Sequence, residues 1–188
     1  PIFVELTKSE GEPEPGWEVA EGVWQRGKDI VPFEGKEQLA RLIAAADVFI
    51  SDYHNSELAE LGANPDDLSA KYPKLVCLQI SGYGRDSVRE KDAWSEVLVW
   101  AHLGFYQRQA GTREGPKMPT FPAGSYATAF NSLTAIRTAL HVRNATGRGQ
   151  VVETSISDGL ASQQGMMWYW SELDSAPDTP INISKGGM

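Results

Sequence analysis

At 188 residues, with 41% hydrophobic and 22% charged residues, the chain has ordinary globular composition and is long enough to bury a core. Its net charge of −8, with basic residues scattered rather than clustered, excludes a nucleic-acid-binding stripe. One cysteine and three dispersed histidines exclude a disulfide framework and a Cys/His metal cluster, and no apolar run reaches the ~18 residues of a membrane helix.

Residues 2–6 read as a short strand, and nothing in Pro1–Leu6 reads as a signal peptide, so a cytoplasmic protein is expected. The acidic, Pro/Gly-rich stretch from Glu10 to Gly22 reads as a surface loop, and Ile30–Phe33 as a second strand. Between Lys36 and Ala46, Leu39, Leu42, Ile43 and Ala46 fall on one face at 3.6 periodicity and predict a helix. Val48-Phe49-Ile50 reads as the buried strand after it. Asn64-Pro65-Asp66-Asp67 is a helix start, with Asn as N-cap, Pro at the first helical position and acids in the first turn. Tyr72-Pro73 ends that helix.

Leu75–Ile80 is a buried strand that holds Cys77 as a packed, inert thiol. Helical patterns follow at 93–107 and 126–143, then a strand over Val151–Ile156 and a Met/Trp-rich helix over Asp158–Leu173. Met166–Trp170 is apolar on all faces, as at an interdomain or subunit interface, and Asp174–Met188 is a Pro/Ser/Gly tail. Strands alternating with helices imply βαβ crossovers, hence an α/β, Rossmann-like parallel sheet with helices on both faces.

Five pieces carry a family resemblance, in order and at matching spacing. Phe3–Glu14 resembles a strand followed by an acidic loop, and Gln25-Arg26-Gly27-Lys28 resembles Asn-Arg-Gly-Lys. Ala46-Asp47-Val48-Phe49-Ile50 through Leu61-Gly62 resembles ADVVVENFRPGVMERLG. Leu75–Gly84, LVCLQISGYG, resembles LVYVSISGFG. The segment from Phe121 to Gln150 opens on Pro122-Ala123-Gly124-Ser125 and closes on Thr146-Gly147-Arg148-Gly149-Gln150, identical to TGRGQ. Together they resemble CoA-transferase family III (the CaiB/BaiF family), which includes formyl-CoA and carnitine CoA-transferases and alpha-methylacyl-CoA racemases.

The resemblance implies that residues 1–173 are a partial large domain, with the first βαβ unit upstream and 174–188 leading to a second domain. It implies an acyl-CoA substrate, no metal, and an interlocked homodimer or a partner chain of the same family. Coenzyme A contacts would come from Gln25, Arg26, Lys28, Asp52, Tyr53 and His54.

Departures from the family pattern carry as much information. Asn-Phe-Arg-Pro becomes Asp52-Tyr53-His54-Asn55, and an Asp there opposes phosphate. Gly-Pro becomes Asp86-Ser87, and Gly-Tyr-Asp (Gly-His-Asp in the racemases) becomes Trp94-Ser95-Glu96. Counted back from TGRGQ, the family's nucleophilic Asp falls at Ser125.

A carboxylate attacks a thioester at pH 7 without a partner, whereas a serine hydroxyl needs an adjacent base. No Asp or Glu lies between Gly115 and Ala145, and His141 lies about 24 Å along a straight helix from Ser125. Ser125 is therefore expected to be the helix N-cap, inactive at the nucleophile position. Glu96 is expected to satisfy a helix dipole, and TGRGQ to be a turn. The expected function is a family III domain that handles acyl-CoA thioesters, the catalytically degenerate half of a longer or two-domain protein. The alternatives are a non-catalytic CoA-binding or regulatory module, and a transferase that uses another residue.

Overall fold

Parallel strands cannot be joined by a tight turn, so each pair needs a crossover, and the alternating sequence pattern supplies one every time. The structure is a computed structural model that describes residues 4–7, 17–108, 115, 117 and 121–163. The chain divides into two compact units, Pro1–Ala45 and Ala46–Met188, taken here one at a time.

In the first unit, β1 (Val4–Thr7) pairs parallel with β2 (Asp29–Pro32), Val4 opposite Asp29 and Thr7 opposite Pro32. The crossover contains a helix, α1 (Trp17–Trp24), where the Pro/Gly-rich composition predicts loop. Its sequence, WEVAEGVW, has Pro only upstream, so nothing within it breaks a helix. Helix α2 (Lys36–Ala45) follows as its periodicity predicts, with Leu39 and Ile43 buried. Gln38 stitches it to the strand: its Nε2 donates to Pro32 O at 3.0 Å, and its Oε1 accepts from Glu34 N at 2.9 Å.

In the second unit, β3 (Val48–Ser51), β4 (Val76–Ser81) and β5 (Val151–Ser155) form a parallel sheet in the order β3-β4-β5. Ser51, Gln79 and Glu153 are in register across it. Val76, Cys77, Leu78 and Gln79 are all buried, so both faces of the central strand are covered. Between β3 and β4 lie α3 (Asn55–Glu60), which no periodicity marks, and α4 (Pro65–Lys71), capped by Asn64 Oδ1 accepting from Asp66 N at 3.0 Å. Between β4 and β5 lie α5 (Glu96–His102), α6 (Phe105–Arg108) and α7 (Ala123–Thr146). The single pattern at 93–107 is two helices because Gly104, at φ 71°, turns the chain between them. Helix α8 (Ile156–Ser162) follows β5, and most of the Met/Trp-rich pattern after it lies outside the described residues.

One buried cluster of this unit joins α5, α6 and α8: Val99, Trp100, Phe105, Ile156 and Leu160. Helices α7 and α8 cross closely at Gly124, Thr128 and Gly159. A Cβ on Gly159 would fall on Thr128 Oγ1 and lie 2.7 Å from Thr128 N, so only glycine fits. Thr128 Oγ1 donates to Gly124 O at 2.8 Å and lies 3.1 Å from Ser155 O, fixing the crossing.

TGRGQ is a turn, as expected. Gly147 (φ 75°) is the left-handed C-cap of α7 and donates to Arg143 O at 2.7 Å. Gly149 N donates to Pro73 O at 2.8 Å, and a Cβ on Gly149 would collide with the Leu75 carbonyl. The arginine that anchors this end is Arg143: its guanidinium reaches Asp47 Oδ1 at 2.9 Å and Lys74 O at 3.3 Å.

Candidate functional site

The N-terminus of α7 exposes backbone N–H groups that its own first turn cannot satisfy. Pro122 occupies the N-cap position and offers no side-chain acceptor. Ser125 is therefore not the cap; it stands three residues later, inside the first turn, because the helix begins at Ala123 rather than at 126. The acceptor comes from α5 instead. Glu96 Oε1 accepts from Gly124 N at 3.0 Å, and Glu96 Oε2 accepts from Ser125 N at 3.0 Å. The Ser125 hydroxyl also donates to Oε2, and Trp100 Nε1 donates to Oε1 at 3.1 Å.

Glu96 is itself the first residue of α5, which Ser95 caps by accepting from Leu98 N at 3.3 Å. One carboxylate thus lies at the positive ends of two helices. The sequence expectation that Glu96 satisfies a dipole holds, but the helix it caps is 29 residues further on. Sequence spacing gives no sign of that pairing. It also supplies Ser125 with the carboxylate partner that the local sequence lacks.

Four donors share the two oxygens of this partner. Burial, and secondarily the charge of Glu96, push the neighbouring Tyr106 phenol up, and its hydroxyl donates to Val97 O at 3.0 Å.

A second feature lies at the carboxyl ends of β3 and β4, where parallel α/β sheets bind ligands. A small cleft, open to solvent, is lined by Asp52, Tyr53 and His54 together with Gln79, Arg85 and Trp94. The structure thus brings Asp52, Tyr53 and His54 to one place. Tyr53 N donates to Ser51 Oγ at 3.2 Å, and His54 N to Glu57 Oε2 at 3.0 Å, so the loop into α3 is held by side chains at both ends. Asn55, Ile80, Ser81 and Glu90, none of which the sequence marks as a ligand contact, complete the lining.

Arg85 is committed elsewhere. Its guanidinium pairs with Asp66, which raises its pKa further. The cleft and Ser125 are neighbours through the chain: Trp94 lines the cleft, and two residues on, at most about 7 Å between Cα atoms, Glu96 holds Ser125. Gly82 keeps this segment close, because a Cβ there would run into the Trp94 side chain.

Gln25, Arg26 and Lys28 belong to the first unit, in the turn from α1 into β2. Gln25 N donates to Glu21 O at 2.8 Å and Lys28 N to Gln25 O at 3.1 Å, with Gly27 at φ 78°. Among the described residues, no cluster of His, Cys, Asp and Glu could hold a metal ion. None of the described helices is long and apolar enough to cross a membrane.

The family model for CoA-transferase family III matches residues 24–184. The chain belongs to that family. Family III relatives include the alpha-methylacyl-CoA racemase of Mus musculus, 26% identical over 80% of this chain and 40% of the racemase. Another is the succinyl-CoA–L-malate CoA-transferase alpha subunit of Chloroflexus aurantiacus, 27% identical over 70% of this chain and 31% of the subunit. Among solved structures, a CaiB/BaiF family protein from Brucella suis superposes with a TM-score of 0.79 at 22% identity, over 96% of this chain and 52% of that one. Rv3272 from Mycobacterium tuberculosis superposes with a TM-score of 0.77 at 21% identity, over 94% and 52%. The α/β fold with its parallel sheet is therefore that of family III. The chain spans about half the length, or less, of these relatives.

Proposed function

We propose that this chain is the acyl-CoA-handling large-domain segment of a family III protein, and that it binds coenzyme A without supplying the acyl-accepting nucleophile. The observation that carries the reading is the bonding of Ser125. Its hydroxyl occupies the position that the family pattern gives to an aspartate, and it donates to a carboxylate that also accepts from Gly124 N–H, Ser125 N–H and Trp100 Nε1–H, so Glu96 serves as the cap of α7. A serine hydroxyl, unlike a carboxylate, attacks a thioester only with a base free to take its proton.

The cleft at β3 and β4 supports retention of a ligand site. The turn at Gln25–Lys28 is the second candidate contact, and Asp52 weakens any contact with phosphate. In this reading the whole protein is a CoA-transferase whose chemistry lies on another domain or chain of the same family, in the cytoplasm.

Mass spectrometry of the intact protein after incubation with acyl-CoA esters tests the claim. No acyl or CoA adduct on Ser125 is expected. An adduct on that residue would make this a serine-dependent transferase instead.

A further inference from the structure

We propose that the cleft at the ends of β3 and β4 receives an uncharged N–H donor of its ligand, and that Gln79 Oε1 is the acceptor that reads it. The inference rests on the coenzyme A reading above and deepens it by naming the kind of group that enters this cleft.

Gln79 is 5% exposed, and its Oε1 has no hydrogen-bond partner. A buried acceptor without a donor costs stability, so native structures rarely keep one without a reason. Its orientation is not free to reverse. Gln79 Nε2 donates to Asn55 Oδ1 at 2.7 Å, and Asn55 Nδ2 donates to Glu90 Oε1 at 3.3 Å.

A carboxylate only accepts, so Glu90 forces Asn55 to present its amide nitrogen. Asn55 must then turn its oxygen to Gln79, and Gln79 must answer with Nε2. The whole relay is polarised from Glu90, and Oε1 is left as an acceptor without a donor on a residue that lines the cleft. Flipping either amide would set oxygen against oxygen.

The surroundings select the same chemistry. Asp52 and Glu90 bring carboxylates to the lining, while the Arg85 guanidinium is bound to Asp66. Phosphate is disfavoured there, and a neutral N–H group is favoured. Coenzyme A offers such groups at two places, the 6-amino group of adenine and the amides of the pantetheine arm. Both present the same donor, and titration with the fragments separates them.

The test is calorimetry of the intact protein with coenzyme A, adenosine, N6,N6-dimethyladenosine and pantetheine. Gln79→Met, which keeps the size and removes the acceptor, is expected to weaken coenzyme A binding about tenfold. Glu90→Gln, which unlocks the relay at nearly constant shape, is expected to weaken it about threefold. If adenine is the donor, dimethylation abolishes adenosine binding; if the amide is, Gln79→Met abolishes pantetheine binding.

Coenzyme A that binds the wild type and Gln79→Met equally overturns the inference and leaves the functional reading standing. Should Gln79→Met not fold, unchanged affinity in Glu90→Gln overturns it equally. A wild type that binds no coenzyme A overturns the functional reading and, with it, this one.

Discussion

The carboxylate of Glu96 holds the Ser125 hydroxyl and, through the Gly124 and Ser125 amides, caps the helix that carries it. Position and bonding of the serine are thus set by a residue on another helix. Glu96→Ala removes the acceptor of four donors at once, two of them helix N-terminal amides. Urea unfolding is expected to give a loss of about 2 kcal/mol, within the range for caps and charge-assisted bonds. Glu96→Gln should lose less, because its amide oxygen can still accept from Ser125. A loss below about 0.5 kcal/mol for Glu96→Ala would mean that water replaces the cap.

Ser125→Asp distinguishes a first-turn residue facing Glu96 from an N-cap. At an N-cap, Asp and Ser are nearly equivalent. Facing Glu96, a second carboxylate meets the first, and one of the two holds its proton more tightly in the folded state. A folded pKa raised in this way makes stability fall as pH rises through the carboxylate range. Ser125→Asp is therefore expected to match wild type near pH 3.5 and to be about 1 kcal/mol less stable at pH 7, with screening by water included. Equal stability at both pH values would falsify the contact.

Much of this architecture was legible in the sequence because it rests on local signals. Asn64-Pro65 capped α4 as its residue types require, Leu39 and Ile43 marked the buried face of α2, and the two glycines of TGRGQ proved to be turn and close-contact positions. Where the sequence misled, the deciding partner was distant. A Ser before a helical pattern reads as a cap only if the helix starts there, and Glu96 let α7 start at Ala123. Helix α1 was hidden by the Pro and Gly residues that precede it, and α3 by being only six residues long. Motif position grouped Asp52, Tyr53 and His54, which line one cleft in the structure. Gln79 lines it too, but a single glutamine inside LVCLQIS reads as strand filler until its partners are known.

The same buried strand fixes the behaviour of Cys77. Burial, and then the charge of Asp66, push its thiol from an ordinary 9.0 up to about 11. In the unfolded chain the thiol ionises near 9.0, while the folded protein holds the proton to about 11. This contribution to stability is thus complete below pH 9 and is lost as pH rises from about 9 through about 11. Native protein at pH 8 is expected to resist iodoacetamide, and unfolded protein to be labelled within minutes. Rapid labelling of the folded protein at pH 8 would show that β4 opens locally.

One face of α7 also calls for a partner. Phe130 is 68% exposed and Leu133 56%, and with Tyr126 they follow the i, i+4, i+7 spacing of a single helical face. Tyr126 is not bare: its ring stacks on Phe121 with centroids 4.9 Å apart. An apolar stripe on a helix that also packs on β4 and β5 is the kind of surface that the interlocked dimer expected from the sequence resemblance would cover. Light scattering of the intact protein is expected to give a dimer, or a complex with a partner chain of the family. Phe130→Glu should shift it toward monomer, since the new charge would have to be buried at the contact. Thermal unfolding supplies the control: an exposed helix position away from any contact tolerates Glu with a change of about 0.5 kcal/mol or less. A wild type that stays monomeric at high concentration, with Phe130→Glu indistinguishable from it, would assign this face to solvent.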